Sequence, residues 1–350
     1  FPFPWRALLR AARSAHLLDS MSTPQPTATP SSKTDAAAPL ARRHLLVSAV
    51  IPTVGTRPVE LEAAVMSVLR QESPFDVEII VVNDSGSALS PSRWQALDRV
   101  QVVSTGRGWT GLPNARNTGA AAARGDFLYF LDDDDELMDG GLALFATALQ
   151  KHPHAEWMYG LTERWTRTGE YIDILPGGEK QNVLAALFSG EWMPVQASLI
   201  GADLFRRVGG FDVSFRASED MDFIMRISCS AERVLVDRPV CRYHFGLKES
   251  MARRELDSCY LFDAYEKIMD RPDGLHRLRG SATTPHLYGK VARVYLISLK
   301  RHARHACYTK LLSRLTEVLV LMAGAGRFLF HRSFWRALRS PTSGMTPESC

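Results

Sequence analysis

At 350 residues with 45% hydrophobic side chains, the chain can form one large or two modest domains with a sizeable core, which excludes a wholly disordered polymer. Its net charge of +4 is too small an excess to call for nucleic acid. The five cysteines, Cys229, Cys241, Cys259, Cys307 and Cys350, include no Cys-x-x-Cys pair, so neither a zinc knuckle nor a disulfide framework is expected, and a reducing cytoplasm is the predicted setting.

Residues 1–20 carry Arg6, Arg10 and Arg13 among apolar residues at helical spacing, the pattern of a targeting segment or, since the first methionine is Met21, of sequence upstream of a start. Met21 to Leu40 is rich in Ser, Thr, Pro and Ala and reads as a disordered tail. Residues 1–43 are therefore set apart from the fold. Order is expected from His44 to Ile51, a strand stopped by Pro52, followed by a helix opening at Thr56-Arg57-Pro58. Strands follow at Val77 to Val82 and Val100 to Val103, then an alanine-rich helix from Asn114 to Ala123 and a buried strand from Phe127 to Leu131. Alternating strands and helices predict an α/β fold with a mostly parallel central sheet covered on both faces. Helix is expected over Gly140 to Gln150, strand over Glu156 to Leu161, a hairpin turn at Thr168/Gly169, helix over Val183 to Phe188, strand over Val195 to Ile200, and an amphipathic helix opening at Glu219.

In such sheets ligands bind beyond the carboxyl ends of the strands, and three of those ends are polar here: Pro52/Thr53, Asn83/Asp84 and Asp132 to Asp135. Crowded carboxylates raise one another's proton affinity unless a cation neutralises them. Asp132 and Asp134 form an Asp-x-Asp pair able to share Mg2+ or Mn2+ with nucleotide phosphates; Asp133 and Asp135 are rivals one register away. From Met251 the pattern is helix after helix, and from Arg271 to Arg339 the charge is one-sided, opposed only by Asp273 and Glu317. Tyr308, Leu311, Leu312 and Leu315, with Phe328, Phe330, Phe334 and Trp335, would give this basic region a face for an anionic membrane. No apolar run reaches the roughly 18 to 20 residues that span a bilayer.

Four stretches, AVIPTVGTRPVELEAAVMSVLRQ, VEIIVVNDSGS, NARNTGAAAARGDFLYFLDDDDE and GGFDVSFRASEDMDFIMRI, together resemble a family 2 glycosyltransferase of the GT-A fold over roughly residues 45 to 250. The resemblance implies a catalytic domain at 44–250; the residue pattern beyond it adds a basic helical region at 251–340 and a flexible tail at 341–350. It implies inverting transfer of a sugar from a nucleotide donor, usually UDP-linked, usually with Mn2+ or Mg2+, to a glycan or lipid-linked acceptor. Pro52 and Thr53 would line the nucleotide pocket, Asp84 would meet the base, Asp132 and Asp134 would serve ribose, metal and pyrophosphate, and Asp220 would be the catalytic base with Glu219 its rival. Arg116 would reach the diphosphate or pack, and His244 would bind metal or diphosphate. The second strand ends Asn83-Asp84-Ser85 where the family often has Asp-Asp-Gly.

Other readings compete. Gly106, Gly108 and Gly111 in GRGWTG satisfy the dinucleotide fingerprint of a Rossmann-type NAD(P)-dependent oxidoreductase, although Pro113 follows and two strand units precede it. A sugar nucleotidyltransferase lacks its glycine-rich first loop here. An EF-hand at Asp132 fails because Leu137 and Ala143 occupy its glycine and glutamate positions. A non-catalytic sugar-nucleotide-binding relative would have no use for the second acidic cluster.

Overall fold

The computed structural model describes residues 44–175, 183–188, 190–245 and 260–339. The features assigned above to residues 1–43, to 251–259 and to 341–350 lie outside these. Four strands, β1 (Leu46–Thr53), β2 (Asp76–Asn83), β3 (Val100–Ser104) and β4 (Phe127–Phe130), form a parallel half-sheet in which β1 pairs with both β2 and β4, and β2 with β3. Strands β1, β2 and β4 are buried along most of their length, as a sheet covered on both faces requires. Helices α1 (Pro58–Leu69) and α2 (Leu112–Ala122) supply cover. Gly119 lets α2 press on the sheet: a Cβ there would stand 2.3 Å from Val50 Cγ1 and 2.8 Å from Val82 Cγ2.

The second half is mixed. It comprises β5 (Glu136–Leu137), α3 (Gly141–Lys151), the hairpin β6 (Trp157–Thr166) and β7 (Tyr171–Leu175), α4 (Val183–Phe188), β8 (Ser198–Gly201), α5 (Ala202–Arg207), α6 (Glu219–Ser228) and β9 (Val234–Phe245). The sheet runs β3-β2-β1-β4-β8-β6-β9-β5, with β7 on β6. Strand β8 is antiparallel to β4 and β6, while β9 is parallel to β6. Strand β1 is not stopped by Pro52 but runs through it to Thr53, and two further points need correction. Val195 to Ala197 form a single 3-10 turn after Pro194, and the strand starts only at Ser198, because the Ala197 N–H donates back to the Pro194 carbonyl at 3.1 Å rather than across a ladder. Strand β9 went unread since Asp237, Arg238 and Pro239 interrupt its apolar run, and its pairing with β6 slips register there.

The C-terminal region is helical as expected: α7 (260–269), α8 (Gly274–Ser281), α9 (Pro285–Arg304), α10 (Tyr308–Gly324) and α11 (Arg332–Arg339). Thr284 caps α9, its Oγ1 accepting the Leu287 N–H at 3.2 Å. These helices dock on α4, where Phe188 stacks on Tyr265 at 4.6 Å and the Ala185 N–H donates to Ser281 Oγ at 3.0 Å. Phe328 and Phe334, expected on an exposed face, are buried. Gly289 admits the α11 backbone against α9, and Tyr288 packs on the Phe328 ring at 5.2 Å. Among the described residues no helix is long and apolar enough to cross a membrane.

Candidate active site

The site lies where the topology reverses, between β1 and β4, whose carboxyl ends are adjacent. Beyond β4 the four aspartates alternate in burial. Asp133 and Asp135 point inward, whereas the Asp132 and Asp134 side chains remain 24% and 18% exposed. Asp133 accepts from Thr53 Oγ1 at 2.5 Å, a bond from the end of β1, and from Arg57 Nη2 at 2.6 Å. Asp135 accepts from Gln196 Nε2 at 2.9 Å and the His244 backbone N–H at 2.9 Å. The inner pair thus ties the run to the fold, and the outer pair faces the crevice. Asp134 is met by Arg57 Nη1 and by Arg167 Nη2, the latter at 2.8 Å from the β6–β7 turn.

The second acidic cluster arrives through aromatic packing. Phe223 of α6 lies 4.2 Å from Phe211, and Phe130 of β4 meets Phe211 edge-on at 5.1 Å, so the strand carrying the aspartates and the helix carrying Glu219 share one apolar wall. Asn117 clamps Phe211 from both sides, donating to its carbonyl at 2.8 Å and accepting its N–H at 2.9 Å. Ser218, just before α6, holds φ +56, a left-handed conformation that a non-glycine residue adopts at a cost.

Arg116 joins the clusters. This guanidinium, 2% exposed, donates to Asp132 at 2.7 Å and to Glu219, 103 residues away, at 2.8 Å, with the Phe211 ring 5.2 Å below. Asp220 has different company: the Trp192 indole N–H at 3.0 Å and the Met221 backbone N–H at 2.8 Å, neither a cation.

Pro52 and Thr53 end β1 beside Asn83, and Asp84 follows β2. The buried Asp84 carboxylate accepts from Thr105 Oγ1 (2.7 Å), Thr110 N–H and Oγ1 (3.0 and 2.7 Å) and Gly111 N–H (3.1 Å). It therefore organises the GRGWTG loop. That loop follows β3, an edge strand, so it lacks the central position of a dinucleotide loop, and the N–H groups of Trp109, Thr110 and Gly111 are all committed to Asp84 rather than to a pyrophosphate. His244 Nδ1–H donates to the Asp134 carbonyl oxygen at 2.9 Å. Sequence reasoning missed Gln196, Trp192 and Arg167, and treated Arg57 only as a helix opening. No spacing signals them, because each reaches the site from a different loop.

The electrostatics are those of an anion-rich cleft. Burial pushes Asp133 up to about 6, against its bonds from Thr53 and Arg57. Burial, then the Asp132 charge, raises Asp134; burial holds Asp135 well above the carboxylate range. Glu219 and Asp220 are raised by burial too, although Arg116 opposes the rise in both. No group of three or more His, Cys, Asp or Glu side chains among the described residues is arranged to hold a metal by itself. Two partly exposed carboxylates with a raised neighbour suit a hard cation that keeps substrate phosphates as its remaining ligands, the usual mode for Mg2+.

Residues 48–172 match the model of Glycosyl transferase family 2. A "GalNAc(5)-diNAcBac-PP-undecaprenol beta-1,3-glucosyltransferase" of Campylobacter jejuni is 33% identical over 160 residues, covering 43% of this chain and 50% of that protein. An uncharacterised glycosyltransferase of Haemophilus influenzae is 26% identical over 188 residues, covering 52% and 62%. The chain thus spans about half to three-fifths of these relatives' length. Among solved structures, S. aureus TarS 1-349 in complex with UDP-GlcNAc superposes with a TM-score of 0.54 at 15% identity, covering 80% of this chain and 92% of that one. At that identity the likeness speaks for the fold.

Proposed function

Since residues 48–172 match glycosyl transferase family 2 and the chain has a GT-A-type fold, we propose that it is a member of that family and transfers a sugar from a nucleotide-sugar donor to an acceptor hydroxyl with inversion. The observation that carries the reading is the division of labour around Arg116. Glu219 is tied up in an ion pair, while Asp220, half-buried and contacted only through neutral N–H donors among its hydrogen bonds, keeps a carboxylate whose burial raises its proton affinity. Asp220 is then the general base and Glu219 its positioned neighbour. The acceptor oxygen attacks the anomeric carbon as its proton passes to Asp220. The bond from that carbon to the diphosphate oxygen breaks, and the nucleoside diphosphate departs with the electron pair.

The departing charge meets guanidinium groups at the end of β4: Arg57 and Arg167 flank Asp134, and Arg116 underlies Asp132. Mn2+ or Mg2+ would be held by Asp134 and Asp132, with His244 as a further candidate, and would supply Lewis-acid stabilisation of the diphosphate. Pro52 and Thr53 line the nucleoside half, and Asp84 shapes it by holding the 105–111 loop. UDP is the proposed nucleotide, supported by the UDP-GlcNAc in the TarS complex. A glycan or lipid-linked acceptor, presented at the cytoplasmic face of an anionic membrane, is supported by the Campylobacter relative's named undecaprenol-linked substrate and by the basic C-terminal helices.

A donor panel with product linkage analysis tests this. Asp220→Asn should bind donor as the parent does while transfer falls by roughly 10²–10⁴-fold, whereas Asp134→Ala should weaken donor binding in metal. Unchanged transfer in Asp220→Asn moves the base to Glu219. Binding of NADH with no binding of any nucleotide sugar would sink the transferase reading.

A further inference from the structure

Helix α10 buries an arginine among its inward residues and leaves a row of apolar residues outside. Its arginine, Arg314, is 2% exposed and faces inward, paired with Glu266 at 3.0 Å, Asp270, and Glu317 at 2.7 Å. Val318 and Leu321 turn inward beside it, but Leu312 and Leu319 are 65% and 62% exposed, in one stripe with Tyr308 and Leu315. The spacing 308, 312, 315, 319 follows successive helical turns, so these side chains form a continuous ridge. A helix facing only water would gain about 1.5–3 kcal/mol for each such leucine it turned inward. This helix forgoes that gain at three leucines while burying a charge, which leaves the ridge fitted to another apolar phase.

The surrounding charge identifies the phase. Phe330, 91% exposed, follows α10, and beyond it Arg332, Trp335, Arg336 and Arg339 line one surface pocket. Of the two acids between Arg271 and Arg339, Glu317 pairs with Arg314 and Asp273 with Arg271 and Arg277. An exposed apolar ridge in a region whose charge is one-sidedly basic matches an anionic bilayer, which offers hydrocarbon and negative headgroups together. We infer that the Tyr308–Leu312–Leu315–Leu319 ridge of α10, with Phe330, inserts into the interface of an anionic membrane without crossing it. This narrows the membrane-presented acceptor proposed above to one face, yet it stands apart from the transfer chemistry and is tested without it.

Flotation of the full chain on phosphatidylglycerol-containing and on pure phosphatidylcholine vesicles is the experiment. The chain should float with the anionic vesicles, less so in high salt, and poorly with the neutral ones. Leu312→Ser/Leu315→Ser/Leu319→Ser should cut partitioning by about tenfold or more with no fall in thermal midpoint, and Phe330→Ser should cut it by a smaller factor. Equal flotation of the triple variant and the parent would overturn the inference, as would equal flotation on both vesicle types. So would a concentration-dependent dimer, abolished by the triple change, in a chain that binds neither vesicle; the ridge would then be a contact with a second copy. Because the readout is lipid binding, loss of donor binding elsewhere leaves it untouched.

Discussion

Two buried arginines organise this molecule; both pull down the proton affinity of the acids around them, and only one of them prevails over burial. Arg314 and Arg116 are both 2% exposed and both bridge carboxylates from distant segments. Around Arg314, burial would raise Glu266 and Asp270, but the bonds from Ser298, Lys310 and Arg314 outweigh it and hold both below the ordinary range. Around Arg116 burial prevails: Glu219, Asp220 and the inner aspartates are all raised. The first hub is an electrostatically satisfied joint that locks α10 to α7. The second carries more buried negative charge than its guanidinium neutralises, which is the state expected of a site that completes its charge balance with a ligand.

Removing each arginine breaks the comparison most severely. Arg116→Met and Arg314→Met should each lose about 3–5 kcal/mol in urea unfolding, since each strands buried carboxylates. Only Arg116→Met should also lower the turnover of the folded fraction. A fall in kcat for Arg314→Met at undiminished stability would remove the distinction between joint and site.

Acid separates the hubs next. Asp133, raised from 3.8 to about 6, adds stability below pH 3.8 that is lost as pH rises through 6. Glu266 and Asp270, lowered, add stability above their ordinary values of 4.5 and 3.8 that is lost as pH falls through their depressed folded values. Between pH 7 and 5 the parent should therefore gain stability relative to Asp133→Asn. The stability gap between the parent and Arg314→Met should hold over that interval and shrink only below about pH 4. A gap that already closes at pH 6 would mean that Glu266 is not depressed.

The smallest effect sharpens the picture of the site's rim. Arg167 is half-exposed, so Arg167→Gln should change stability by no more than about 1 kcal/mol. It should raise the donor KM a few-fold at unchanged kcat, as expected of a cation that meets the diphosphate in the ground state as well as during transfer. A kcat effect with KM unchanged would place Arg167 on the departing charge alone.

Much of this was legible in the sequence. Apolar strands β1, β2 and β4 announce themselves because a parallel strand buried on both faces must be a continuous hydrophobic run, and the polar residues at their ends mark the crevice. Glu219 and Asp220 could be read as a helix opening, and Asp132 to Asp135 as the exit of a strand. Strand β9 could not, since its charged and proline residues obscure the period that reveals a strand.

What tertiary structure alone decided is which charges meet. Local spacing carries no information about a partner 103 residues away, so the Arg116 bridge, the Trp192 contact to Asp220 and the Gln196 contact to Asp132 emerge only when Phe130, Phe211 and Phe223 pack α6 against β4. The same holds for α10. Its composition reads as an ordinary amphipathic helix, and only the buried pairs of Arg314 with Glu266 and Asp270 determine that Arg314 turns in while Leu312, Leu315 and Leu319 face outward. Periodicity says that a helix has two faces; the charges waiting in the neighbouring helix decide which one turns in.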